Sequence, residues 1–147
     1  MTLGYCIPWE SVKTFRPYAK RAGVARGGAQ ATDLDHAAAF WTKALNLVAT
    51  QEWKSDTWQT LAYPDGAGRA LGLHRSESHA EPHPRLHLDL CVDTAQEQRA
   101  EVQRLISLGA QEVDWELYPS EPDFVVLADP DGNIFCVVDL SHAPSRP

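Results

Sequence analysis

Residue types that handle protons crowd into one short segment, Arg85-Leu86-His87-Leu88-Asp89-Leu90-Cys91-Val92-Asp93. Leucines alternate there with polar residues. A strand would set Leu86, Leu88 and Leu90 on one face, against a buried layer, and Arg85, His87, Asp89 and Cys91 on the other. His87 and Asp89 would then stand side by side, the placement a general acid–base pair needs to pass a proton through a substrate or a water. The plainer use of the same two groups is hydrogen bonding to structural partners such as arginines. Cys136 would act as a nucleophile if a neighbouring His87 lowered its pKa, although small cysteines more often serve as buried thiols.

The segments on either side decide whether such a strand can be held. Asp33 or Asp35 can cap a helix whose apolar residues, Leu34, Ala37, Ala38, Trp41, Ala44 and Leu45, recur at helical spacing and end at Asn46. A weak strand over 24–32 precedes this helix. Strands are predicted over 47–53, 57–63 and 69–74, separated by Lys54-Ser55-Asp56 and Pro64-Asp65-Gly66-Ala67-Gly68, both good turn chemistry. After the strand at 85–93, Thr94 and Glu97 form a capping box. Ala95, Val102, Leu105 and Ile106 make the stripe of a second helix, and Gly109 ends it. Strands over 111–117, 124–128 and 134–140 follow.

The order is thus strand, helix and three strands, twice over. Leu61-Ala62-Tyr63-Pro64-Asp65-Gly66 and Leu127-Ala128-Asp129-Pro130-Asp131-Gly132 differ only at their third position. Each links the third and fourth strands of its unit, so the chain reads as a duplicated βαβββ module. The first module covers 26–74 and the second 85–140. An N-terminal extension with a short helix over 9–20 occupies 1–25, a polar linker 75–84, and a tail 141–147. Modules this small must share a core or a cleft.

Composition narrows the function classes. With 147 residues, 44% hydrophobic and 22% charged, the chain suits a globular domain. Its net charge of −7 is uneven: residues 1–30 hold Lys13, Arg16, Lys20, Arg21 and Arg26 against Glu10, and the remainder is strongly acidic. That body argues against nucleic acid as a partner. No apolar run reaches the roughly 18 residues of a membrane span, and no signal-peptide core opens the chain, so the expectation is a cytoplasmic protein with no membrane partner. Cys6, Cys91 and Cys136 lack close spacing and read as reduced thiols.

Three stretches together resemble the vicinal oxygen chelate superfamily, the glyoxalase/bleomycin-resistance/dioxygenase group, and most of all its glyoxalase-like domain branch. They are Asp33-Leu34-Asp35-His36-Ala37-Ala38-Ala39-Phe40-Trp41, Arg85 to Leu90, and Asp129-Pro130-Asp131-Gly132-Asn133-Ile134-Phe135-Cys136. The resemblance spans about residues 30–140. It implies an α+β fold in which two βαβββ modules form a curled, half-open mixed sheet with helices outside and a ligand on the concave face. It also implies a homodimer. In such a cup His87, Asp89 and Cys91 would point inward.

Metal-dependent members of that superfamily draw one ligand from the first and last strand of each module. The matching positions here give His87 and Cys136 in the second module. The first gives Arg26, or Gln30 in another register, and Leu71-Gly72-Leu73, which cannot coordinate. His87 alone is a strong ligand, so the reading is a pocket without a cofactor. The alternative is a divalent metal such as zinc, iron or manganese, in the form of a zinc site from His87, Asp89 and Cys136. The expected function is binding of a small, partly aromatic or apolar molecule. His87 and Asp89 are the catalytic candidates, and Trp58, Cys91 and Cys136 the ligand-binding ones, with Trp53 and Trp115 as further flat walls. A metal-dependent lyase, isomerase or dioxygenase is one alternative, a non-catalytic interaction module another. His79 and His83 read as linker residues, and Asp129 to Asn133 as a turn lacking calcium-loop spacing.

Overall fold

Asp33 fixes where the first helix begins. Its carboxylate accepts the backbone N–H groups of Asp35 and His36 at 3.0 and 3.1 Å, filling two of the donors that a first helical turn leaves open. In the computed structural model, which describes residues 5–8 and 27–142 (5–8 and 27–30 as backbone only), helix α1 runs Leu34–Leu45. It closes at Asn46 in the left-handed region (φ 52°), which asparagine tolerates. Helix α2, Ala95–Ser107, opens on the anticipated capping box: the Glu97 amide donates to Thr94 Oγ1, and the Glu97 carboxylate accepts from Thr94 and from the Asp93 amide, each at 3.2 Å.

The strands are β1 (Tyr5–Pro8), β2 (Gly27–Ala31), β3 (Val48–Ala49), β4 (Trp58–Ala62), β5 (Arg69–Arg75), β6 (Leu88–Val92), β7 (Gln111–Glu112), β8 (Phe124–Ala128) and β9 (Ile134–Asp139). They form two mixed sheets, ordered β2-β5-β4-β3 and β1-β6-β9-β8-β7. In both, the strand before the helix pairs parallel with the last strand of its unit; β1 also pairs parallel with β6, and the remaining pairs are antiparallel. The two-unit α+β architecture therefore stands, and the sheets do not close into a barrel.

Several expectations need correction. The stretch read as an extension supplies β1, which pairs parallel with β6; the helix expected over 9–20, and positions 24–26 of the expected first strand, lie outside the described residues. The strand expected over 47–53 shrinks to β3 because the chain turns at Gln51, where the Lys54 amide donates to the Gln51 carbonyl and Trp53 is left-handed (φ 63°). The one expected over 111–117 shrinks to β7, with a turn bonding the Tyr118 amide to the Trp115 carbonyl. Leu86 does not pack under the helices: β6 starts two residues later, and Leu86 is 72% exposed. Leu88 packs at the core's margin and Leu90 inside it.

One core serves both units. Trp41 of α1 meets Phe135 of β9 edge-on at 5.3 Å and Phe40 at 5.1 Å, amid Leu61, Leu71 and Leu73 from one sheet and Leu90, Leu127 and Val137 from the other. The indole Nε1 of Trp41 donates to Asp129 Oδ2 at 3.0 Å. Asp129 also accepts from the amides of Asp131 and Asn133 and from Asn133 Nδ2. The repeated hexamer thus departs from itself at the position whose side chain ties the units together. At the other end, Arg104 of α2 donates to the carbonyls of Lys43 and Ala44 while its guanidinium grips buried Glu101 at 2.6 and 2.7 Å.

Asp129→Ala should lower unfolding stability by about 2–4 kcal/mol, because it orphans a buried indole N–H and opens the turn. Asp65→Ala, in the exposed turn of the other hexamer, should change it by no more than about 0.5 kcal/mol. Urea denaturation of both variants measures the contrast.

Candidate functional site

The register of β6 on β9 builds the site. In this parallel pair Asp89 lies opposite Cys136, and Leu90 opposite Val137. Side chains alternate between faces, so Leu90, Phe135 and Val137 enter the core while Asp89 and Cys136 share the face turned away from the helices. His87, just ahead of β6, joins them. Its Nε2 lies 3.0 Å from Asp89 Oδ1, with the two side chains 19% and 20% exposed. Ligating atoms of His87, Asp89 and Cys136 all fall within 4.8 Å of one another. The structure therefore gathers three of the five residues singled out from the sequence.

Burial sets the electrostatics. It pushes the Asp89 carboxyl above the usual carboxylate range, against the pull of His87 and of the thiol hydrogen of Cys136, both of which favour the anion. The Cys136 thiol is pushed up to about 12, first by burial and then by the adjacent Asp89 carboxylate. A thiol so held is no nucleophile at neutral pH, which removes the nucleophilic role raised for Cys136. What remains is a carboxyl displaced toward neutrality beside an imidazole, a pair able to exchange a proton with a bound molecule.

The other candidates lie elsewhere. Cys91 is 1% exposed and disulfide-bonded, so it offers no thiol to a ligand, and the expectation of reduced cysteines fails there. Strand β1 runs alongside, with Pro8 in register with Cys91. Trp58 is on the other sheet, half-buried, in a pocket lined also by Trp53, Thr60, Arg69, Ala70 and Gly72. Trp115 meets His83 with ring centroids 5.0 Å apart and planes tilted by 48°. Trp53, expected as a further flat wall, is in that pocket, whereas Glu52 and Arg69 escaped the sequence reading, since no local pattern joins residues 17 apart.

Registers also test a metal shared between the units. Val126 of β8 faces Cys136, and its counterpart in the first hexamer's strand, Thr60, faces Gly72. Gly72 in turn pairs with Gly28 of β2, as Cys136 pairs with Asp89. Two glycines thus stand where the second unit has a carboxylate and a thiol. Among the described residues, donors from both units do not converge at these positions. The three donors of the second unit suit zinc in kind.

The fold and these motifs define a paired-βαβββ protein of the glyoxalase/bleomycin-resistance/dioxygenase type. The family model of the glyoxalase-like domain matches residues 28–138, and the chain belongs to that family. It is similar in structure to a glyoxalase/bleomycin resistance protein/dioxygenase family enzyme from Burkholderia phytofirmans PsJN (16% identity, TM-score 0.56, covering 76% of this chain and 94% of that one). A possible glyoxalase from Bacillus cereus is likewise similar (17%, 0.57, 79% and 97%). So is the fosfomycin resistance protein FosX from Listeria monocytogenes (15%, 0.61, 80% and 90%). At these identities the likeness is one of fold. Comparison with curated proteins gave no match. No helix among the described residues is long and apolar enough to cross a membrane.

Two measurements check the electrostatics. Iodoacetamide at pH 8 should leave Cys136 unmodified in the folded protein and label it in urea, as peptide mass mapping reads. Asp89 holds its proton more tightly folded than unfolded, so its ionisation costs stability at neutral pH. That cost should be relieved as pH falls through the raised folded value toward the unfolded 3.8, and Asp89→Asn should lack this component of the pH profile.

Proposed function

We propose that this glyoxalase-like protein binds a small, partly aromatic molecule on the helix-free side of its sheets, with His87 and Asp89 as the pair that contacts and exchanges protons with it. The observation that carries the reading is the His87–Asp89 contact: a carboxyl lifted by burial, beside an imidazole, each side chain about one-fifth exposed. Cys136 then acts as a neutral thiol donor that orients the Asp89 carboxylate, and Trp58 as an apolar wall. The same reading makes the protein a cytoplasmic homodimer that works without a catalytic metal, nucleic acid or membrane.

A second reading is kept because one observation favours it. His87, Asp89 and Cys136 form a compact nitrogen, oxygen and sulfur donor set, and a FosX structure is a complex with manganese(II) and a dihydroxypropylphosphonic acid. On that reading the cluster holds a divalent metal as part of a lyase, isomerase or dioxygenase. Metal analysis of purified protein separates the two: stoichiometric zinc, iron or manganese, lost in Cys136→Ser, would replace the first reading with the second.

For ligands found by thermal-shift screening, His87→Ala should weaken binding at least tenfold, about 1.4 kcal/mol, while unfolding stability changes by less than about 0.5 kcal/mol. A large loss of stability with unchanged affinity would make His87 structural.

A further inference from the structure

The first unit carries a glycine where the second carries Cys136, and an indole occupies the space that the glycine leaves. Gly72 and Thr60 are partners across β4 and β5, and Trp58 stands two residues from Thr60 on the same face. A Cβ at Gly72 would collide with Cζ2 and Cη2 of Trp58, so the ring lies down on the bare backbone. Its Nε1 donates to Oγ1 of buried Thr60 at 2.9 Å. Held at both ends, the ring is fixed in plane, and it lines an open pocket together with Trp53, Thr60, Arg69 and Ala70.

A second indole lines the same pocket. Trp53 is 64% exposed, a costly place for so large an apolar ring. Its backbone is left-handed, at φ 63°, a conformation that non-glycine residues seldom hold without a local reason. The ring is not loose: the Arg69 guanidinium sits 4.7 Å from its centroid and is itself paired with Glu52 at 2.7 Å. An exposed, strained and braced indole lining one pocket with a second, pinned indole is arranged for a ligand more than for the core, which neither ring joins.

From this geometry we infer that the Trp53–Trp58 pocket is a stacking site for a flat, fused-ring aromatic of naphthalene or indole size, lying against Trp58 and covered at its edge by Trp53. Offset stacking supplies the affinity, and the internally neutralised Arg69–Glu52 pair leaves the mouth without a strong preference for ligand charge. The inference deepens the small-molecule reading above and rests on it in taking the helix-free faces as the ligand side.

The test uses the full chain and two probes, 2-naphthoate and its saturated analogue decahydro-2-naphthoate, titrated against ¹⁵N-labelled protein. Indole N–H signals are assigned through Trp58→Phe and Trp53→Phe. Naphthoate should move the Trp58 and Trp53 signals and leave that of Trp41 in place, with a dissociation constant of about 1 mM or tighter, and the saturated analogue should bind at least fivefold more weakly. Trp53→Ala, at an exposed ring, should keep the fold and lose several-fold in naphthoate affinity. Equal binding of the two probes, no binding of naphthoate, or unchanged affinity in Trp53→Ala would overturn the inference. His87→Ala separates the two proposals. Ligands that need His87 and ignore both indoles overturn the stacking site and leave the His87 reading standing. Naphthoate binding that needs the indoles and ignores His87 supports the stacking site alone.

Discussion

The contact of Trp41 with Phe135 and Asp129 is the joint on which the rest of the molecule depends. A βαβββ unit has one helix to cover one sheet, too little to bury its apolar face by itself. Here α1 lends its largest side chain to the other unit: the indole body enters the shared core beside Phe135, and its one polar atom is satisfied by Asp129. Burying Trp41 without that acceptor would leave an unpaired donor in a low-dielectric interior. The same aspartate organises the turn before β9, so the bond that joins the units also sets where β9 begins.

Placement of β9 in turn sets the candidate site. Starting at Ile134, it puts Cys136 opposite Asp89, and the strict alternation of a strand sends Phe135 to the core and Cys136 to the other face. A one-residue slip would exchange the two and dismantle the core and the cluster together. The His87–Asp89–Cys136 cluster is therefore held as firmly as the core beneath it. The two units have diverged on the faces opposite that core. One carries a carboxyl bonded to an imidazole and a thiol; the other carries glycines and an indole. Two units of matching strand order thus carry different chemistry at their matching positions.

Much of this was legible in the sequence because it is local. Asp33 and Asn46 bracket α1, Thr94 and Glu97 open α2, and the two hexamers mark equivalent turns; each signal spans a few residues and depends on backbone chemistry within them. The alternation at 85–93 correctly set His87 and Asp89 together, but it could not say where pairing starts, and Leu86 fell outside the strand. What was hidden is what acts at a distance. The Trp41–Asp129 bond joins residues 88 apart. Strand β1 exists by pairing with β6, not by its own periodicity. Trp58 lies flat because a residue on the neighbouring strand has no side chain.

On the proposed function, the polar face of β6 meets a ligand through His87 and Asp89. A crystal structure of the protein with a ligand identified by binding tests it most directly. The prediction is a polar ligand atom within about 3.2 Å of His87 Nε2 or an Asp89 carboxylate oxygen. A ligand bound elsewhere, with His87 and Asp89 still bonded only to each other and to Cys136, would contradict it.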